Sequence, residues 1–134
     1  MSLAQSIQNR INPGLPGLLG IEITHAGPEK IVARMKVRAE MCTVGGVLHG
    51  GAYMAFADTL GAVGTVVNLP PNTRTTTIES KTNFMGSAPV DTFVTGEAVA
   101  LHKGKSTQVW QTTIRSEAGK LCAMVTQTQM ILPT

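Results

Sequence analysis

The longest apolar run in the chain, Ala52 to Leu69, is interrupted by a single carboxylate, Asp58. Between Glu40 and Arg74 no other side chain has a formal charge. The run also contains two threonines, two glycines and Asn68, which makes it too polar for a bilayer. It reads as a buried helix starting near His49 or Gly50, running to Val67 and stopped by Pro70-Pro71. On that helix, apolar nearly all round, an ionised carboxylate is costly unless it is paired or hydrogen-bonded. Asp58 is therefore a candidate functional group. An Asp bonded to Thr or backbone groups at a subunit interface, or one facing solvent, would give the same sequence.

The rest of the chain supplies a sheet for this helix. Ile31, Ala33, Met35 and Val37 alternate with Val32, Arg34, Lys36 and Arg38, the signature of a half-buried strand. Strands are expected near Gly20–His25 and Ile31–Arg38, with a turn at Gly27-Pro28. A glycine-rich loop, Val44-Gly45-Gly46-Val47-Leu48, leads into the helix. After it come strands at Thr75–Met85, Thr92–Leu101, Thr107–Arg115 and Leu121–Leu132, with hairpin turns at Lys103-Gly104-Lys105 and Ala118-Gly119-Lys120. Leu3, Ile7 and Ile11 suggest a short amphipathic helix over residues 2–12, ended by Pro13-Gly14. One long helix followed by a run of antiparallel strands predicts a single α+β domain over residues 1–134, its sheet wrapped around the helix.

Composition narrows the function classes. The chain is 43% hydrophobic and 14% charged, which argues for a compact globular protein. A net charge of +3 suits a polyphosphate ligand but also many ordinary surfaces. Lys and Arg are scattered and there is one Trp and one Tyr, so no nucleic-acid module is expected. Cys42 and Cys122 match no disulfide framework or metal spacing, so packing roles in a reducing, cytoplasmic setting are expected. His25 and His102 lack metal-like partner spacing, so no metal site is expected. The N-terminal residues show no secretory signal pattern.

Gly50 and Gly51 fall at the expected helix N-terminus, where free N–H groups and the helix dipole favour negative charge. Such an amide can hold a thioester oxygen as it becomes an oxyanion, although two glycines can equally serve a tight entry turn. At 1.5 Å per residue, Gly50 and Asp58 lie roughly 12 Å apart along the axis. One reacting carbonyl cannot touch both, because catalytic contacts need about 3 Å. If both act on one substrate they come from two copies of the chain, brought together twice by a two-fold dimer with antiparallel helices.

Val47-Leu48-His49-Gly50-Gly51-Ala52, followed by Ala57-Asp58, resembles the signature of hotdog-fold thioesterases of the phenylacetic-acid-degradation type. Thr77-Ile78-Glu79-Ser80-Lys81-Thr82-Asn83-Phe84-Met85 and His102-Lys103-Gly104-Lys105-Ser106 also fall where that family has its strand and hairpin. The likeness runs from about Leu19 to Leu132. It implies a hotdog fold, dimers pairing into homotetramers, and hydrolysis of acyl-CoA thioesters with no metal or bound cofactor, coenzyme A being part of the substrate. By position it implies that Gly50 supplies the oxyanion amide and that Asp58, from the partner subunit, is general base or nucleophile. Thr77 would orient water or the carboxylate, and His49 would shape the loop or touch the thioester oxygen. Gly51 would border the substrate, Gly86-Ser87 the pantetheine passage, and Lys103, Lys105 and Ser106 would contact coenzyme A. Thr43 stands where many relatives carry Asn or Gln near the thioester, and a hydroxyl there reaches less far.

From the residues alone the bland alternatives stand beside these roles. Thr77 lies in a Thr-rich strand, where a β-branched residue is ordinary strand chemistry. His49 can be a loop or capping residue, and Lys103-Gly104-Lys105 a solvated turn. Tyr53, Met54, Phe84 and Met85 are candidates to line an apolar pocket for an aromatic or medium-chain acyl group. A non-catalytic acyl-CoA-binding or sensing module is the alternative function. An acyl dehydratase or hydratase would use a His49–Asp58 pair, but its His-Phe-Pro-Gly pattern is absent.

Overall fold

The computed structural model describes residues 1–134. Helices α1 (Leu3–Ile11) and α2 (Leu15–Leu19) precede strands β1 (Glu22–Ala26) and β2 (Lys30–Lys36). A 3-10 turn at Ala39–Met41 leads to the two-residue strands β3 (Cys42–Thr43) and β4 (Val47–Leu48), and then to the long helix α3 (Gly50–Val67). Strands β5 (Thr73–Phe84), β6 (Phe93–Lys103), β7 (Thr107–Arg115) and β8 (Leu121–Pro133) complete the chain. Six strands form one antiparallel sheet in the order β1-β2-β6-β7-β8-β5, wrapped around α3. This is the hotdog arrangement.

The period-two pattern of β2 sets its register. Ile31, Ala33 and Met35 are fully buried against α3, opposite Ala98, Gly96 and Val94 of β6. Arg34, on the outer face, pairs with Glu22 of β1 at 2.7 Å and lies over the Phe93 ring. The helix sits close to the sheet because two of its core-facing residues have no side chain. A Cβ on Gly64 would stand 2.6–2.8 Å from the fully buried Trp110 ring, and one on Gly61 would stand 2.2–2.5 Å from the Gln127 amide. Both distances are shorter than van der Waals contact, so the helix could not seat at this depth with alanine in either place.

The first helix docks through the buried Ile7 and the polar side chain of Gln8. Gln8 Nε2 donates to the Ile21 carbonyl at 2.8 Å, and Gln8 Oε1 accepts from Ile23 N–H at 2.7 Å. Pro13-Gly14 ends α1, and α2, which the sequence pattern did not mark, follows with Pro16 in its first turn, where a missing N–H costs nothing. Three sequence expectations need correction. The expected glycine-rich loop closes as the β3–β4 ribbon, with Gly45 and Gly46 at φ +95° and +70°, conformations that suit glycine. Strand β2 stops at Lys36 and β5 begins at Thr73, shifts of two residues from the pattern. Finally, α3 is not buried all round: Met54, Asp58 and Val66 are exposed on the side turned away from the sheet. No helix is long and apolar enough to cross a membrane.

Strand β5 pairs with β8 along one edge only, from Thr73↔Pro133 to Phe84↔Ala123, and its other edge is bare. At the opposite end of the sheet, the edge strand β1 has five residues to β5's twelve.

Gly64→Val should destabilise the fold by about 2–3 kcal/mol, because the rigid, buried Trp110 ring cannot yield to an added side chain. The urea midpoint measures this, and an unchanged midpoint would refute the close-seating argument.

Candidate active site

His49 caps α3. Its Nδ1 accepts from Gly51 N–H at 2.7 Å, which places the proton of the neutral ring on Nε2, free to donate outward. The His49 carbonyl takes Ala52 N–H, and His49 N–H donates to the Met41 carbonyl at 3.0 Å. The Gly50 N–H therefore remains without a partner in the chain, at the positive end of the helix dipole. Gly50 faces the Phe84 ring of β5; a Cβ there would stand 3.2 Å from it. Phe84 is 53% exposed and meets Tyr53 edge-on, with ring centroids 6.3 Å apart.

Behind this end of the helix, Tyr53 Oη donates to the Gly86 carbonyl at 3.4 Å. Burial, reinforced by Cys122, pushes the Tyr53 phenol well above its ordinary range, so it stays a neutral donor. The Gly86 N–H donates to the Cys122 carbonyl at 3.0 Å, which ties the segment after β5 to β8.

Asp58 lies two turns further along α3, exposed rather than buried in the single chain. Of the settings left open by the sequence, the single chain shows the solvent-facing one, because Asp58 sits on the side of α3 that the sheet does not cover. The acid is nonetheless held. Thr77 Oγ1 stands 2.7 Å from Asp58 Oδ1, and Gln127 Nε2 reaches both Oδ1 and the main-chain oxygen of Asp58 at 3.3 Å. Oδ2 has no hydrogen bond within the chain. Asp58 borders a groove of about 430 Å³ between α3 and the α1–α2 pair. Asp58, Ala62 and Val66 line one side of the groove, and Ile7, Ile11 and Leu15 the other.

The structure thus gathers the expected site residues into two groups. His49, Gly50 and Gly51 form one, with Gly86 and Ser87 behind it; Asp58 and Thr77 form the other. The unbroken helix between them keeps the two about 12 Å apart. Thr43 is exposed in β3, paired with Val47. Lys103 is ion-paired with Glu29, while Lys105 and Ser106 occupy the β6–β7 turn beyond the C-terminal end of α3, away from Gly50.

Two features escaped the sequence reading. Gln127 and Gln129 sit at core-facing positions of β8 and touch Asp58 and Thr77 respectively; polar residues at buried parity were the signal that could have found them. Lys120, read as a turn residue, lies against Gly86 and lines a cleft of about 490 Å³ with Ser87.

The thioesterase superfamily profile matches residues 45–123, more than half of the chain. A 1,4-dihydroxy-2-naphthoyl-CoA hydrolase of Listeria monocytogenes is 33% identical over 108 residues, covering 81% of this chain and 87% of that protein. A thioesterase structure from Haemophilus influenzae superposes with a TM-score of 0.91 at 28% identity, over 99% of this chain and 92% of the other. A mutant phenylacetic acid degradation protein from Thermus thermophilus gives a TM-score of 0.79 at 25% identity, covering 86% and 96%.

His49→Ala should remove the cap of α3 and cost about 1 kcal/mol, whereas His49→Asn should retain most of it. Equal melting temperatures for the two variants would contradict the capping role.

Proposed function

The chain belongs to the thioesterase superfamily, and on that footing we propose that it hydrolyses acyl-CoA thioesters at sites shared between two copies. The observation that carries this reading is the pair of half-sites on one helix: a free amide at Gly50 and a carboxylate at Asp58 steadied by Thr77. The Gly50 N–H of one copy would hold the thioester oxygen as negative charge develops on it. The partner's Asp58 would act on the carbonyl carbon, either as base to a water molecule or as nucleophile. Carbon–oxygen bond formation then expels the coenzyme A thiolate, which takes up a proton; on the nucleophile route water afterwards cleaves the acyl–Asp58 anhydride to free acid and carboxylate. His49 Nε2–H is a second donor beside the Gly50 amide.

Two features support assembly. The bare edge of β5 offers twelve residues of unpaired backbone, enough for antiparallel pairing with a second β5 across a two-fold axis. The uncovered side of α3 presents Met54 and Val66, each 38% exposed, and burying them favours association. A dimer is the minimum and a tetramer the expected end state.

The groove beside Asp58 is apolar, and its volume suits an aromatic or medium-chain acyl group. The Listeria relative, named for a bicyclic aromatic acyl-CoA, supports the aromatic choice. Lys103, Lys105 and Ser106 remain candidates for coenzyme A contact, and Lys120 beside Gly86-Ser87 is a further cation at the pantetheine passage.

Asp58→Asn should lower turnover of aromatic acyl-CoA by at least about a hundredfold, with the circular dichroism spectrum unchanged. Thiol release at the parental rate would overturn the assignment, and tight binding without release by the parent protein would favour a sensing module. A second test uses complementation. Gly50→Pro deletes the amide while keeping a residue that the first helical position tolerates. Gly50→Pro and Asp58→Ala chains, each inactive alone, should recover about a quarter of parental activity when mixed, since half the dimers are mixed and hold one intact site. A mixture that stays inactive although heterodimers form would exclude the shared site.

A further inference from the structure

Gln127 and Gln129 are fully buried, and a pair of amides in a sheet core is a costly way to fill space. Gln127 Oε1 has no hydrogen-bond partner, and Gly61 gives up its side chain so that this amide can lie against α3. Apolar residues would pack there at lower cost, so fold stability does not account for them. Their hydrogen bonds run to the Asp58 site.

The orientation of both amides is fixed from the two ends by main-chain carbonyls, which can only accept. At one end, Gln127 Nε2 faces the Asp58 carbonyl at 3.3 Å and donates to Gln129 Oε1 at 2.9 Å. At the other, Thr75 Oγ1 donates to the Met130 carbonyl at 2.9 Å, so it must accept from Gln129 Nε2, 3.1 Å away. Turning Gln127 over would set its oxygen against two acceptor oxygens, and turning Gln129 over would set nitrogen against Gln127 Nε2 and oxygen against Thr75 Oγ1. Gln129 Oε1 is therefore aimed at Thr77 Oγ1, 2.5 Å away, while Asp58 Oδ1 stands 2.7 Å away on the other side. One hydroxyl hydrogen lies between two acceptor oxygens.

We propose that Gln127 and Gln129 are positioning residues that give the Thr77 hydroxyl two settings, one for each protonation state of Asp58. This rests on the reading of Asp58 as the catalytic acid residue and assigns it the general-base route. With the carboxylate ionised, Thr77 donates to Oδ1. The attacking water gives its proton to the free carboxyl oxygen and its hydroxide to the acyl carbon. A half-turn of the carboxyl about its Cβ–Cγ bond then brings the protonated oxygen to Thr77, to which it can donate. The Thr77 hydrogen then turns to Gln129 without its O–H bond breaking. Transfer of the proton from Asp58 to the departing thiolate returns the hydroxyl to its first setting. A proton on Asp58 supplies the second hydrogen that the two contacts at Thr77 need, so the network favours the state through which base catalysis passes.

The test is a double-mutant cycle read in kcat. Gln129→Met keeps length and burial but removes the acceptor. It should lower kcat roughly tenfold with KM within about twofold, a coupling of the size seen inside one hydrogen-bond network. In a Thr77→Val background, where no hydroxyl remains to turn, the same change should alter kcat less than about twofold. An equal loss of kcat in both backgrounds would show a merely structural role and overturn the proposal. So would an unchanged kcat for Gln129→Met. If Gln129→Met does not fold, Gln129→Leu, which also removes the acceptor, enters the same cycle with the same expectations and the same refuting outcomes. Asp58→Asn serves as reference: full activity there refutes the catalytic reading itself, whereas loss there without coupling between Gln129 and Thr77 refutes only the proton-setting role.

Discussion

The seat of α3 on the sheet governs what every other part of the molecule can do. Trp110 and the Gln127 amide fill the space where Gly64 and Gly61 lack side chains, and at those distances the helix can neither roll nor slide. Its azimuth fixes which residues face the core, among them Phe56, Leu60 and Val63, and which are turned to the uncovered side, among them Met54, Asp58 and Val66. It also fixes the axial position of Asp58 opposite Thr77 and Gln127. A carboxylate on a loosely seated helix would have to find its partners. Here the sheet presents them at a set distance.

Much of this was legible in the sequence because its patterns are strong. The period-two alternation of β2, the apolar run of α3 and the Gly and Pro punctuation marked nearly every long element. The failures have physical causes. Helix α2 went unseen because five residues that include Pro16 and Gly17 carry no helical periodicity, although proline is harmless in a first turn. Whether Asp58 is buried or faces solvent was left open, because its neighbours in sequence are apolar. A helix can bear apolar residues on a side that its own chain leaves open, and sequence does not say which side a partner covers.

The site was legible only in part. His49 and Gly50 stood out by residue type beside a helix start, and Asp58 by charge. The Thr77–Asp58 contact joins residues nineteen positions apart on different elements, and no local spacing rule predicts it. The likeness to hotdog thioesterases supplied that expectation. Gln127 and Gln129 belong to neither category. They break the apolar parity of β8, and such a break becomes informative only once the register shows what the polar groups face.

The groove beside Asp58 has walls of unlike origin. One is α3, locked onto the sheet; the other is the α1–α2 elbow, attached through Gln8 and a handful of apolar contacts. Substitutions at Leu15 or Ile11 would reshape the groove while leaving the Trp110 and Gln127 seats untouched. The architecture thus separates the residues that keep the protein folded from those that set the shape of this hollow. A lineage built on such a chain could drift from one occupant to another by small changes in its first sixteen residues, with the helix, the sheet and the carboxylate held constant.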